Sequence, residues 1–260
     1  MRIGMMNDPR RPALQEARWA ADHGFEFLDL TVEGPGAALD QIEVGPLSSV
    51  LTDAGMGVVG HTAWYLPFAS PLERVRAAAV ECVAETFEMF AGVGAKRVNV
   101  HIVSGVRLFG EASRLRWNAE CFTVLAERAA AFGIQIMVEH PPEERLRVDD
   151  VRVILDADPR LGFHLDVGHA NIGGDRLASW LRAFGNRLVH VHLSDNGGVH
   201  DDHIPLGAGQ IQWPRAVRLL QDAGYDDTIT LEVFSAERDH LLLSARKMRE
   251  WWQAAKISAA

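Results

Sequence analysis

The feature that most constrains this chain is a repeated change of period. Eight short runs rich in Val, Ile and Leu are each followed by a segment with helical spacing. The runs are "RIGMM" (2–6), "FEFLDL" (25–30), "GVVGH" (57–61), "RVNVH" (97–101), "IQIMVEH" (134–140), "LGFHLDV" (161–167), "LVHVHL" (188–193) and "TITLEV" (228–233). They are short and apolar enough to be parallel strands buried on both faces. The helical segments cover 10–24, 39–55, 71–94, 115–133, 148–158, 177–185 and 213–224, and 241–256 closes the chain. Gly24, Gly55, Gly94, Gly133, Gly185 and Gly224 stand where these helices should stop. Eight βα units in 260 residues is about 32 residues per unit. This predicts an α/β chain folded as a single (β/α)8 TIM barrel over residues 1–260. An open doubly wound sheet would ordinarily carry a glycine fingerprint after its first strand, and "RIGMMNDPRR" has none. No linker, low-complexity stretch or short repeat divides the chain.

A barrel places its chemistry at the C-terminal ends of its strands. In this sequence strand three ends in His61, strand four in His101, strand five in Glu139 and strand six in Asp166 with His169 just beyond. Strand seven ends in His192 and strand eight in Glu232, and the loop after strand seven adds Asp201 and His203. Any one of these has an ordinary explanation as a hydrogen-bonded core or surface residue. Their convergence at one end of consecutive strands does not, because each buried group would cost several kcal/mol without compensation. A bound divalent cation is the economical compensation. Carboxylates and imidazoles are the ligand set of Zn or Mn, with Fe or Mg also admissible. His164, deeper on strand six, reads as a hydrogen-bonded core residue.

Composition removes other classes. The formal net charge is −9, with 26 basic against 35 acidic residues, so no global attraction to nucleic acid or an anionic membrane is expected. The N-terminus lacks a signal-peptide core, and no run approaches the roughly 20 apolar residues of a membrane helix, which makes a cytoplasmic location the expectation. Cys82 and Cys121, without CxxC spacing, read as core fillers. There is no GxSxG elbow and no P-loop.

The stretches "MVEH", "GFHLDVGHANIGG", "VHVHLSD", "DDHIPLGAGQIQW" and "TLEVF" make the chain resemble the xylose-isomerase-like TIM barrels. That superfamily includes endonuclease IV and the sugar epimerases related to tagatose epimerase. The resemblance implies that Glu139, Asp166, His192 and Glu232 hold a metal at the barrel mouth. A trinuclear arrangement like that of endonuclease IV would add His61 and His101, sharing Glu139, for one further metal and His169, Asp201 and His203 for another. With all nine positions filled, the resemblance favours a metal-dependent phosphodiester or phosphoester hydrolase acting on a small sugar-like substrate. The alternative is a keto-sugar or keto-sugar phosphate isomerase or epimerase in which Glu139 and Glu232 exchange a proton. His169 is the third candidate catalytic group.

Duplex DNA fits poorly as a partner. The repair enzymes carry an arginine where this chain has Asp202, and the loops "NDPRRP" and "TVEGPGAALD" do not match theirs. Arg10 and Arg11 read as a solvated helix start, or as an anion site. Trp64 and Tyr65 could form one wall of a substrate pocket. Gly207 and Gly209 could turn backbone N–H groups toward a phosphate, or simply make a tight turn. Epimerase-like members carry a second glutamate after strand five, for which Glu143 and Glu144 are the candidates here.

Overall fold

The computed structural model describes residues 1–142 and 146–258; Glu143 and Glu144 lie outside them. Eight parallel strands, β1 (Arg2–Met6), β2 (Phe27–Val32), β3 (Gly57–Thr62), β4 (Arg97–His101), β5 (Gln135–Glu139), β6 (Gly162–Asp166), β7 (Leu188–Leu193) and β8 (Thr228–Leu231), pair in sequence order. β1 also pairs with β8, from Arg2 opposite Thr228 to Met5 opposite Leu231, so the sheet closes into a barrel without an edge.

The helices α1 (Ala13–Asp22), α2 (Val44–Asp53), α3 (Glu73–Ala84), α4 (Phe87–Gly92), α5 (Glu111–Ala130), α6 (Val148–Leu155), α7 (Val167–Asn171), α8 (Leu177–Phe184), α9 (Trp213–Asp222) and α10 (Asp239–Ser258) lie between and after the strands. Most helix stops are as expected: Gly24, Gly55, Gly94, Gly133 and Gly224 have φ between 65° and 86°, a region only glycine enters freely. Gly185 differs, with φ −56°, and continues α8 into a 3-10 turn over Gly185–Arg187. The segment 71–94 is two helices, because the Thr86 hydroxyl returns to the Val83 carbonyl at 2.6 Å and competes with the helix ladder. Of the two cysteines, Cys121 is buried while Cys82 is exposed and fills no core.

The strands are not apolar on both faces. Val98, Val100, Ile136, Val138, Phe163, Leu165, Val191, Leu193, Ile229 and Leu231 belong to the large apolar cluster shared with the helices. The alternate residues Asn99, Glu139, His164, Asp166, His190, His192, Thr228 and Thr230 are buried and polar. Since side chains alternate along a strand, these point into the barrel. Among the described residues, Phe27, Val59 and Met137 form a separate small apolar cluster. The barrel is thus apolar on its outer face and largely polar within.

The outer layer is closely packed beside the chemistry. A Cβ on Gly60, the residue before His61, would stand 2.7 Å from the buried Phe90 ring. Gly60→Ala is therefore expected to destabilise the barrel by about 1–3 kcal/mol, read as a lower urea midpoint at unchanged m. An unchanged midpoint would mean that Phe90 has room to move.

Candidate active site

The C-terminal strand ends and their loops surround a cavity of about 1270 Å³. Its floor is the polar interior of the barrel. Glu139, Asp166, His192 and Glu232 present ligand atoms that all lie within 4.8 Å of one another, and His61, His101 and Glu139 form a second such group.

Local structure explains the Asp-x-x-His spacing. Asp166 ends β6 and is the N-cap of α7, its Oδ1 accepting the His169 backbone N–H at 2.7 Å. The spacing of three is the reach from a cap to the first helical turn. It leaves Asp166 Oδ2 buried with no hydrogen-bond partner among the described residues, and Glu139 Oε1 is in the same condition. Two unpaired carboxylate oxygens within one dry cluster are what a cation would satisfy.

The proton inventory separates ligands from spectators. His192 donates from Nε2 to Asp29 Oδ2 at 2.7 Å and faces Glu232 Oε2 with Nδ1 at 2.9 Å. Asp29 is fully buried on β2, and its Oδ2 also accepts from Thr230 Oγ1 at 2.7 Å. With Nε2–H committed to Asp29, the Nδ1 lone pair of neutral His192 is directed at the carboxylate cluster, the usual role of a carboxylate behind a ligating imidazole. Asn99 further fixes Glu139, donating to Oε2, while its Oδ1 accepts from His164 Nδ1 at 2.7 Å. His164 is thus the buried, hydrogen-bonded residue the sequence indicated.

The group expected to hold a third metal behaves otherwise. His169 donates from Nδ1 to the His140 carbonyl at 2.8 Å and from Nε2 to Asp201 Oδ2 at 3.1 Å. His203 donates from Nδ1 to the Glu232 carbonyl at 3.2 Å, and its Nε2 lies 3.0 Å from the same Asp201 oxygen. Each ring thus has Nδ1 on a backbone carbonyl and Nε2 on the one Asp201 oxygen they share. Among the described residues this trio is not one of the groups whose ligand atoms converge.

Electrostatics follow the same division. Burial, reinforced by Glu232 and Asp201 and opposed by His169, pushes the Asp166 carboxyl up to about 7. Burial also works against ionised Glu139, but His101 and His164 outweigh it and hold this carboxyl well below its ordinary range. His192 is raised well above an ordinary histidine: burial opposes its charge, and Asp29 and Glu232 prevail. His203, opposed by burial but facing Glu232 and Asp201, is pushed up to about 9.

Trp64 and Tyr65 line the cavity, as do His61, His101, His169, Asp201, His203 and Glu232. Gly207 and Gly209 do not. The Gly207 N–H is donated to Asp195 Oδ2 at 2.7 Å, so it is not available to a phosphate. At Gly209 a side chain would collide with Asp195 and the Asn196 backbone. These glycines serve the turn. Arg10 and Arg11 pair with Asp8, at 2.8 and 3.6 Å. Sequence reasoning missed Asp29, Asn99, His190 and Asp195. For the first three, the signal was the two-residue alternation with Thr31, His101 and His192.

Fold and site together define a (β/α)8 barrel whose mouth carries a converging set of carboxylates and one imidazole. Residues 17–255 match the family model described as "Xylose isomerase-like TIM barrel", and the chain belongs to that family. It is similar to fructoselysine 3-epimerase of Escherichia coli O157:H7, 23% identical over 278 aligned positions that cover 98% of both chains. The uncharacterized protein MJ1311 of Methanocaldococcus jannaschii is 29% identical over 223 residues, covering 82% of this chain and 76% of the other. Among solved structures, a D-tagatose 3-epimerase-like protein superposes with a TM-score of 0.90 at 25% identity, over the whole of both chains. No helix among the described residues is long and apolar enough to cross a membrane.

Because Asp166 and His192 must both be deprotonated to act as ligands, cation binding should release protons and tighten as pH rises from about 6 to 8. Calorimetric titration with Mn²⁺ in buffers of different ionisation enthalpy reads both effects. Asp29→Asn should weaken binding by about 10–100-fold. Equal affinity at pH 6 and 8 would contradict the assignment.

Proposed function

We propose that this enzyme is a divalent-metal-dependent epimerase or isomerase of keto-sugars, inverting or relocating a centre beside a carbonyl. The observation that carries the reading is the cluster of Glu139, Asp166, His192 and Glu232 with its unpaired buried oxygens. Named relatives along the full chain, such as fructoselysine 3-epimerase, point the same way.

Three carboxylates and one imidazole would hold the cation, an oxygen-rich set better suited to Mn²⁺ than to zinc. When bound, the cation polarises the substrate carbonyl and lowers the acidity barrier of the adjacent C–H. Glu139 and Glu232 stand on strands three apart around the ring, so they approach a bound sugar from different sides. One carboxylate takes the proton from the carbon beside the carbonyl, and the electron pair moves into an enediolate. The other, as a carboxylic acid, returns a proton to the opposite face, inverting that carbon. Asn99 and His101 orient Glu139 by holding its Oε2. His169, fixed by His140 and Asp201, forms part of the polar edge of the cavity.

The phosphodiester hydrolase expected from nine filled positions has no such support. Its third cation would need His169, Asp201 and His203 as ligands, and among the described residues their ligand atoms do not form one of the converging groups.

The test is hydrogen exchange. With Mn²⁺ bound, a ketose substrate should exchange its C3 hydrogen with solvent deuterium, followed by NMR, while bis(p-nitrophenyl) phosphate stays intact. Glu139→Gln and Glu232→Gln should each lower exchange by about 10²–10⁴-fold. Phosphodiester cleavage without C–H exchange would overturn the assignment.

A further inference from the structure

The chemistry above occupies the floor of the cavity, and most of the volume lies beyond it. About 1270 Å³ exceeds the ~300–1,000 Å³ of ordinary small-molecule sites, so a free monosaccharide would leave much of it to water. The upper wall is apolar. Trp64, Tyr65, Val106 and Phe234 all line the cavity and are all exposed. Trp64 and Tyr65 meet edge to face at 5.7 Å, and Phe234 lies 4.5 Å from the His203 ring, two residues from Glu232. Exposed aromatic faces beside a polar centre are surfaces for the C–H face of a ring.

Among the described residues, the arginines of the wall are already paired. Arg10 makes two bonds to Asp8, at 2.8 and 2.9 Å, and Arg11 stands 3.6 Å from the same carboxylate. Arg238 donates to both oxygens of the nearly buried Glu16, at 3.1 and 2.8 Å, with its guanidinium 3.7 Å above the Trp19 ring. Among the described residues the lining holds these three arginines against six carboxylates. To be held by one of these guanidinium groups, a phosphate dianion would have to break an ion pair.

Resting on the epimerase reading, we infer that the substrate is an uncharged keto-sugar bearing a second ring, a glycoside, with the ketose on the metal-binding floor and the added ring against Trp64, Tyr65 and Phe234. It is neither a sugar phosphate nor a free ketose.

Fructose, fructose 6-phosphate and isomaltulose separate these possibilities, because the last two carry phosphate or a neutral glucose ring on the same oxygen. With the Mn²⁺-loaded full chain in deuterated water, isomaltulose should exchange its C3 hydrogen with kcat/KM about tenfold above either comparator, and calorimetry should give it the lowest Kd. Trp64→Ala should erode that preference by about 2–10-fold, mainly through KM. Stronger binding and exchange of fructose 6-phosphate, or isomaltulose no better than fructose, overturns the inference and leaves the epimerase reading standing. Tight binding of isomaltulose with no exchange from any of the three sugars does the reverse.

Discussion

The carboxylate of Asp29, buried without solvent contact on the inner face of β2, is the constraint on which the site depends. Burial alone would push such a group to protonate. Here His192, His190 and Thr230 surround it, and the imidazoles hold it well below the ordinary carboxylate range. In return Asp29 fixes the ring of His192. A rotation of that ring would leave a buried anion without its strongest partner, so the direction of His192 Nδ1 is set before any ligand arrives. This is preorganisation: the cost of orienting the ligand is met by folding rather than by binding.

One layer higher the carboxylates converge on one another. Glu139 and Asp166 each keep one buried oxygen without a partner among the described residues, as Asp29 does at Oδ1, and burial and neighbouring carboxylates bring Asp166 to about 7. The tiers differ in charge balance: imidazoles surround Asp29, whereas Glu139, Asp166 and Glu232 meet around a single imidazole. Such a division makes sense if the upper tier is completed from outside, by a cation whose charge offsets three converging carboxylates.

Much of this was legible in the sequence, and the missing parts share physical causes. The eight alternating units, their glycine stops and the strand-terminal carboxylates and imidazoles follow from periodicity and from the rule that barrel chemistry sits at strand ends. Asp29 and Asn99 were hidden because they lie inside their strands, in runs read as apolar on both faces. Asp195 stood in plain view, but its role depends on contacts across the loop: it accepts from Asn196 N, Gly207 N, Ile211 N and the Trp213 indole. No local pattern announces a carboxylate that gathers four donors from residues up to 18 positions away. The third metal expected from residue types is not confirmed, for a related reason. Residue types matched a ligand set, whereas whether ligand atoms converge is decided by where tertiary acceptors such as the carbonyls of His140 and Glu232 hold the rings.

That last point bears on how one scaffold comes to run different reactions. The loop after β7 is fastened beneath by Asp195 and carries Asp201 and His203 to the mouth on a backbone that puts His203 at φ 48°. In this chain the loop delivers His203 as a donor to Asp201 and to the Glu232 carbonyl. Asp201 thereby ties the loop to His169 on the far side of the motif that ends β6. The same three residue types, shifted so that their nitrogens faced one point, would form a further cation site. What differs between the two arrangements is where the loop backbone holds the rings, and with it which atoms are left over to meet a substrate. The metal-binding floor is set by strands and changes little with the loops, so the mouth decides whether that floor polarises a carbonyl or prepares a nucleophile.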